Sequence, residues 1–140
     1  MGYSTDFFGE LLFKEGTMKT EEELILMETI LGSDARDMPT WKKFGSGQLT
    51  YMDLAYNKFR TGIEWSGDEK TYDLPEKVAL LIKIMRSVNP NFGLFGEMKA
   101  EGERFNDRWS FEVSNGTVIV FDDDGHEIET ICRDFIENKN

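Results

Sequence analysis

The sequence predicts an α+β protein, an antiparallel sheet of about five to seven strands with two helices packed on one face. Segments 20–32 and 73–90 each combine helix-capping residues with apolar side chains at helical spacing. The stretch near the N-terminus and the run from residue 92 to 121 instead alternate apolar and polar residues, as half-buried strands do. The resulting order of strand, helix, strands, helix, strands gathers the helices on one side of a sheet.

In the first strand, Thr5, Phe7, Leu11 and Phe13 lie on one face, with Asp6, Glu10 and Lys14 on the other. Phe8 and Leu12 interrupt the polar face, which predicts a strand covered on both sides. Thr20 and Glu23 then form a capping box, in which hydroxyl and carboxylate each satisfy a free backbone donor. Leu24, Met27, Ile30 and Leu31 supply the apolar side of that helix, and Gly32 its stop. Residues 49–56 and 62–65 read as a strand pair. The second helix starts at Asp73, with Pro75 in its first turn, and Asn89 and Pro90 end it. Its apolar stripe is Val78, Leu81, Ile82 and Met85.

Beyond it, residues 94–101 and 108–113 read as strands, with Trp109, Phe111 and Val113 inward. Asn115 and Gly116 suit a tight hairpin turn into a strand at 117–121. Residues 126–136 fit either a helix stripe or a further strand, and the turn residues Asp124 and Gly125 favour the strand, followed by a frayed tail. No repeat, low-complexity segment or linker divides the chain, so one domain over residues 1–140 is expected. Residues 36–48, with Pro39, Gly45 and Gly47, read as a mobile loop.

The 140 residues carry 27 acidic side chains against 16 basic ones, a net charge of −11. The excess is concentrated at residues 1–30 and 121–140. Nucleic-acid backbones and anionic membranes are approached through clustered Lys and Arg, so direct binding to either is disfavoured. A basic protein would be steered in. Solubility alone is the plain alternative explanation of such acidity. The single cysteine, Cys132, and the lack of a signal-like or membrane-spanning apolar run predict a cytoplasmic protein.

Chemical motifs are sparse. The run Asp122, Asp123, Asp124, Gly125, His126, Glu127 is rich in possible ligands, but its glycine comes too early for an EF-hand and it reads as a solvated turn. His126, the only imidazole, has no neighbouring nucleophile. The pairs Glu97 with Glu101 and Glu101 with Glu103 are ordinary strand-surface carboxylates unless one is desolvated. Gly93, Gly96 and Gly102 lack the strand-to-helix setting of a phosphate loop. Neither catalysis nor a cofactor or metal is predicted. Trp41, Phe44, Tyr51, Tyr56, Phe59 and Trp65 fall in the least acidic segment, where they serve either the core or a recognition surface.

Several motifs carry a resemblance. Gly2 to Gly9 (GYSTDFFG), Leu49 to Tyr51 (LTY), Lys70 to Lys77 (KTYDLPEK), Phe92 to Glu97 (FGLFGE) and the spaced AEGE and DRW of residues 100–109 resemble a group of small phage-encoded accessory proteins. The likeness is scattered over most of the chain up to Phe121 and transfers no residue's role. It implies a setting inside an infected bacterium, where small acidic phage proteins bind and block host machinery, host defences included. The expected function is therefore a non-enzymatic acidic interaction protein that binds and inhibits a basic host protein. Glu21, Glu22, Glu23, Asp122, Asp123 and Asp124 are its candidate binding residues, standing in for phosphates if the target binds nucleic acid. The alternative is a small-molecule or nucleotide-sequestering module with a pocket at Tyr72, Arg108 and Trp109.

Overall fold

A computed structural model describes residues 5–14, 20–31, 53–67, 74–102 and 107–132. Seven strands make one sheet: β1 (Thr5–Phe13), β2 (Leu54–Tyr56), β3 (Gly62–Trp65), β4 (Leu94–Gly102), β5 (Arg108–Asn115), β6 (Thr117–Asp122) and β7 (Glu127–Cys132). Their order is β2-β3-β1-β4-β5-β6-β7, and every neighbouring pair is antiparallel. Helix α1 (Glu21–Leu31) follows β1, and helix α2 (Leu74–Met85) follows β3. The expected α+β class, the strand number and the two helices against the sheet are all present.

The N-terminal strand thus lies inside the sheet, third of the seven strands. The β2–β3 hairpin adds on one side of it and the β4 to β7 meander on the other. Residues 126–136 resolve in favour of the strand as far as Cys132. The tail, the loop at 36–48, Asp73, Tyr72 and the Cys132 side chain lie outside what is described.

One core fills the space between sheet and helices. Phe7, Leu11 and Phe13 of β1 are buried in it, as are Met98 and Ala100 of β4, Phe111 and Val113 of β5, and Val118 and Val120 of β6. Phe7 packs its ring against Trp65 and Trp109 at centroid separations of 5.8 and 5.6 Å. Phe13 does the same with Tyr56 and Phe92 at 6.3 and 6.1 Å. Trp65 therefore belongs to the core layer, one of the two roles the sequence left open for it.

Helix α1 begins with the capping box the sequence predicts: the Glu23 amide donates to Thr20 Oγ1 at 3.1 Å, and the Thr20 amide donates to Glu23 Oε1 at 3.2 Å. The second carboxylate oxygen of Glu23 accepts from Asn89 Nδ2, so the cap also ties α1 to the turn after α2. Helix α2 departs from expectation. Rather than one apolar stripe, nearly its whole circumference is buried, including Lys77 at 3% exposure. Lys77 Nζ bonds Asp53 Oδ2 at 2.8 Å, which keeps its charge paired inside the fold.

The other departure concerns β1. Phe8 and Leu12 are 52% and 42% exposed, not covered. The described helices occupy one face of the sheet, and these residues point from the other. Two glycines allow β1 and β4 to lie side by side at the centre. Gly9 has φ 116°, and a Cβ there would stand 2.4 Å from the Glu97 carbonyl oxygen; a Cβ on Gly96 would stand 2.4 Å from that of Glu10. Only a residue without a side chain fits such positions.

Candidate functional site

The open face of the sheet is built by register. Glu10 of β1 stands opposite Glu64 of β3 on one side and Glu97 of β4 on the other, and Glu97 stands opposite Glu112 of β5. Four glutamates on four adjacent strands therefore form a row across the sheet, Glu64, Glu10, Glu97, Glu112, and all four are exposed. Directly opposed Cβ atoms lie about 4.5–5.5 Å apart, and like charges so placed repel. The arrangement costs stability unless something compensates.

One member has a fixed partner. Asn57 is buried in the β2–β3 turn, where its Oδ1 accepts the amides of Thr61 and Gly62 at 2.8 and 3.2 Å. Its Nδ2 reaches outward to Glu10 Oε1 at 2.9 Å. The turn and the row are thus held together by one side chain.

Apolar residues flank the row on the same face. On one side Leu12 stands opposite Phe95, which is 41% exposed; on the other, Phe8 stands opposite Lys99. Beyond Phe8, Asp6 and Glu101 are paired, with Arg108 next to Glu101 on β5. Six carboxylates on β1, β3, β4 and β5 thus share this face with two cations, Lys99 and Arg108.

Asp122 stands opposite Trp109 on the helix side of the sheet, and it and Asp123 meet the open face only at the sheet's end. With Glu97, Glu101, Lys99 and Arg108 they line a hollow of about 450 Å³ at the end of the sheet where β5 begins and β6 ends. Asp122 is held by its own turn: its Oδ1 accepts the amides of Asp124 and His126 at 3.0 and 2.9 Å. The His126 amide, supported by that of Asp124 and by the imidazole, keeps the Asp122 carboxyl below the usual aspartate range against a smaller desolvation effect. Asp122, Asp124 and His126 bring three possible ligand atoms within 4.8 Å of one another. Calcium takes six to eight oxygens, and Asp122 already spends one oxygen on the turn, so the trio serves the turn.

The other predicted acids lie elsewhere. Glu23 is buried and engaged with Thr20 and Asn89, so it offers no charge to a partner. Glu21 and Glu22 are exposed beside it, near the C-terminal end of α2. Asp122 lines a second cleft with Pro75 and Glu76 at the N-terminal end of α2. A 12-residue helix is about 18 Å long. The two predicted clusters therefore sit at opposite ends of the helix layer and form no common patch.

That second cleft, also about 450 Å³, runs between the start of α2 and β5 to β7. Arg108 and Trp109 line it and the first hollow alike. Two of the three residues predicted for an alternative pocket thus adjoin cavities, while Tyr72 lies outside the described residues.

Comparisons with protein-family models, curated proteins and solved structures give no match. No helix among the described residues is long and apolar enough to cross a membrane. Any functional reading therefore rests on the site's own chemistry. Sequence reasoning placed Glu10 on the outer face of a strand and noted Glu97 beside Glu101, but it could not align Glu64, Glu10, Glu97 and Glu112. Alternation gives each residue's face; only strand order and register put the four in line.

Proposed function

We propose that this is a non-enzymatic interaction protein of phage origin that binds and inhibits a basic host protein through the open face of its sheet. The supporting observation is the glutamate row with its exposed apolar flanks. A row of like charges is unfavourable within the fold, and a cationic partner would relieve it. Phe8, Leu12 and Phe95 would give that partner apolar contact area, which charge alone does not supply. Asp122 and Asp123 adjoin the acidic surface only at its edge, while Glu21 and Glu22 stand apart from it.

Duplex mimicry fits this geometry poorly. Strands are spaced about 4.8 Å apart, so the row carries roughly one charge per 4.8 Å, against one per about 1.7 Å of duplex axis. The surface suits a cationic protein element better than a site evolved for two phosphate strands.

The test is comparative capture. Wild type and the variant E10Q/E64Q/E97Q/E112Q are immobilised and exposed to bacterial lysate, from low salt to about 0.5 M, a range over which exposed ion pairs are screened. A basic protein held by wild type, released by salt and not held by the variant supports the reading. Equal capture by both overturns it.

The second reading, a small-molecule or nucleotide module, is favoured by one observation: Arg108 and Trp109 together line the cleft beside α2. A cation and an indole at one opening suit an anionic, stacking ligand. A thermal upshift with a nucleotide panel, abolished by Trp109→Ala, would support it.

A further inference from the structure

The row's spacing says which kind of cationic element fits it. Four glutamates on adjacent strands span three interstrand gaps, about 14 Å in all. A helix repeats a given side every 5.4 Å, so three turns cover about 16 Å. An extended strand repeats a side every 6.6–6.8 Å, and three repeats cover about 20 Å. With each element centred on the row, the helix cations stand roughly 1 Å off at each end and the strand cations roughly 3 Å, so the helix makes the outer pairs with less distortion of its Lys or Arg side chains.

Resting on the reading that the open face binds a basic protein, we infer that the element it receives is a single amphipathic helix lying across the strands. Its cations, at i, i+4, i+7 and i+11, meet the glutamates in order. Apolar residues beside that stripe reach Leu12 and Phe95 on one side and Phe8 on the other, each two residues along its strand from the row. Charge also excludes a second copy of this chain as occupant. At a net charge of −11, two such faces brought together would oppose glutamate to glutamate. One short helix covers less than the ~800 Å² per partner of a standard interface, which places the complex in the weak, transient class.

The experiment uses the whole protein and two synthetic peptides of equal length, charge and leucine content. One is a helix of about 16 residues with lysines at the four stated positions and leucines beside them. The other has its lysines at alternate positions and prolines that hold it extended. Both are titrated at low salt into wild type, E97Q/E112Q and F95S, whose folds are checked by circular dichroism melts. The expected result is a helical-peptide Kd in the micromolar range, about tenfold tighter than the extended peptide, weakened about five- to tenfold by E97Q/E112Q and measurably by F95S. Equal affinity for both peptides, with both weakened by E97Q/E112Q, overturns the helix and leaves the acidic face standing. A helical peptide that binds all three proteins alike overturns the helix and its placement on this face together. Binding of neither peptide overturns the helix, and the lysate comparison then decides the broader reading. A dimer of the chain that E97Q/E112Q dissolves overturns the assignment to a basic partner.

Discussion

Glu10 and Glu97 face each other across β1 and β4, each also opposed by a further glutamate on its other side. Only Glu10 has a described hydrogen-bond donor, the amide of Asn57. Cross-strand pairs of like charge destabilise a sheet by a few tenths to about 1 kcal/mol each, so this relationship sets a stability cost against the proposed recognition role.

Neutralising the middle of the row relieves that cost. Glu97→Gln removes two opposed pairs and is expected to raise stability by about 1 kcal/mol at low salt, with the gain shrinking as salt screens the wild-type repulsion. Urea denaturation at two ionic strengths reads both. A variant less stable than wild type would show that the row is not repulsive.

The ion pair of Lys77 with Asp53 predicts a coupled loss. Lys77→Met strands the Asp53 carboxylate and should cost about 3 kcal/mol. Asp53 sits at φ 61°, a conformation that asparagine tolerates. K77M/D53N should therefore be more stable than the sum of the single losses implies, and a double-mutant cycle measures the coupling.

Gly9→Ala tests the close approach at the centre of the sheet. Its Cβ would overlap the Glu97 carbonyl at a φ of 116°. A loss of about 3 kcal/mol or more is expected, a fall in Tm of roughly 10 °C. A shift within 2 °C would mean that β1 and β4 can separate cheaply.

Asp122 predicts an acid-side pH dependence. Its carboxyl titrates below the ordinary aspartate value because the amides of His126 and Asp124 favour the anion. The lowered folded pKa means that its contribution is complete above the unfolded value and fades as pH falls through the folded one. An NMR titration should place its midpoint below 3.8, and Asp122→Ala should flatten the stability profile in that acid range.

Tyr56 carries a buried hydroxyl with no hydrogen-bond partner among the described residues. Burial raises its pKa and Glu28 adds to that, while Arg60 over the ring opposes. Tyr56→Phe should leave stability unchanged or raise it by up to about 1 kcal/mol, since an unsatisfied polar group is removed. Thermal melts at neutral pH check this.

Local signals made most of the elements legible. Capping at Thr20 and Glu23 located α1, alternation located β1, and the Asn115-Gly116 turn located the β5–β6 hairpin, with Asn115 at φ 62°. These depend on contacts within a few residues of one another, which a linear reading captures. The same reading took the charge-dense segments together as candidate binding residues, and the fold sets the two clusters at opposite ends of the helix layer. Glu21, Glu22 and Glu23 are adjacent in sequence because one helical turn is acidic at its start, and the cap consumes the third of them.

Fold class, the two helices, the strand periods and the acidic balance were legible in the chain alone, because propensity, capping and alternation act over a few residues. The burial of Lys77 against Asp53, the exposure of Phe8 and Leu12, and the alignment of Glu64, Glu10, Glu97 and Glu112 came only with the packed fold. Those outcomes depend on which strands become neighbours and in what register, a choice made by the packing of one shared core.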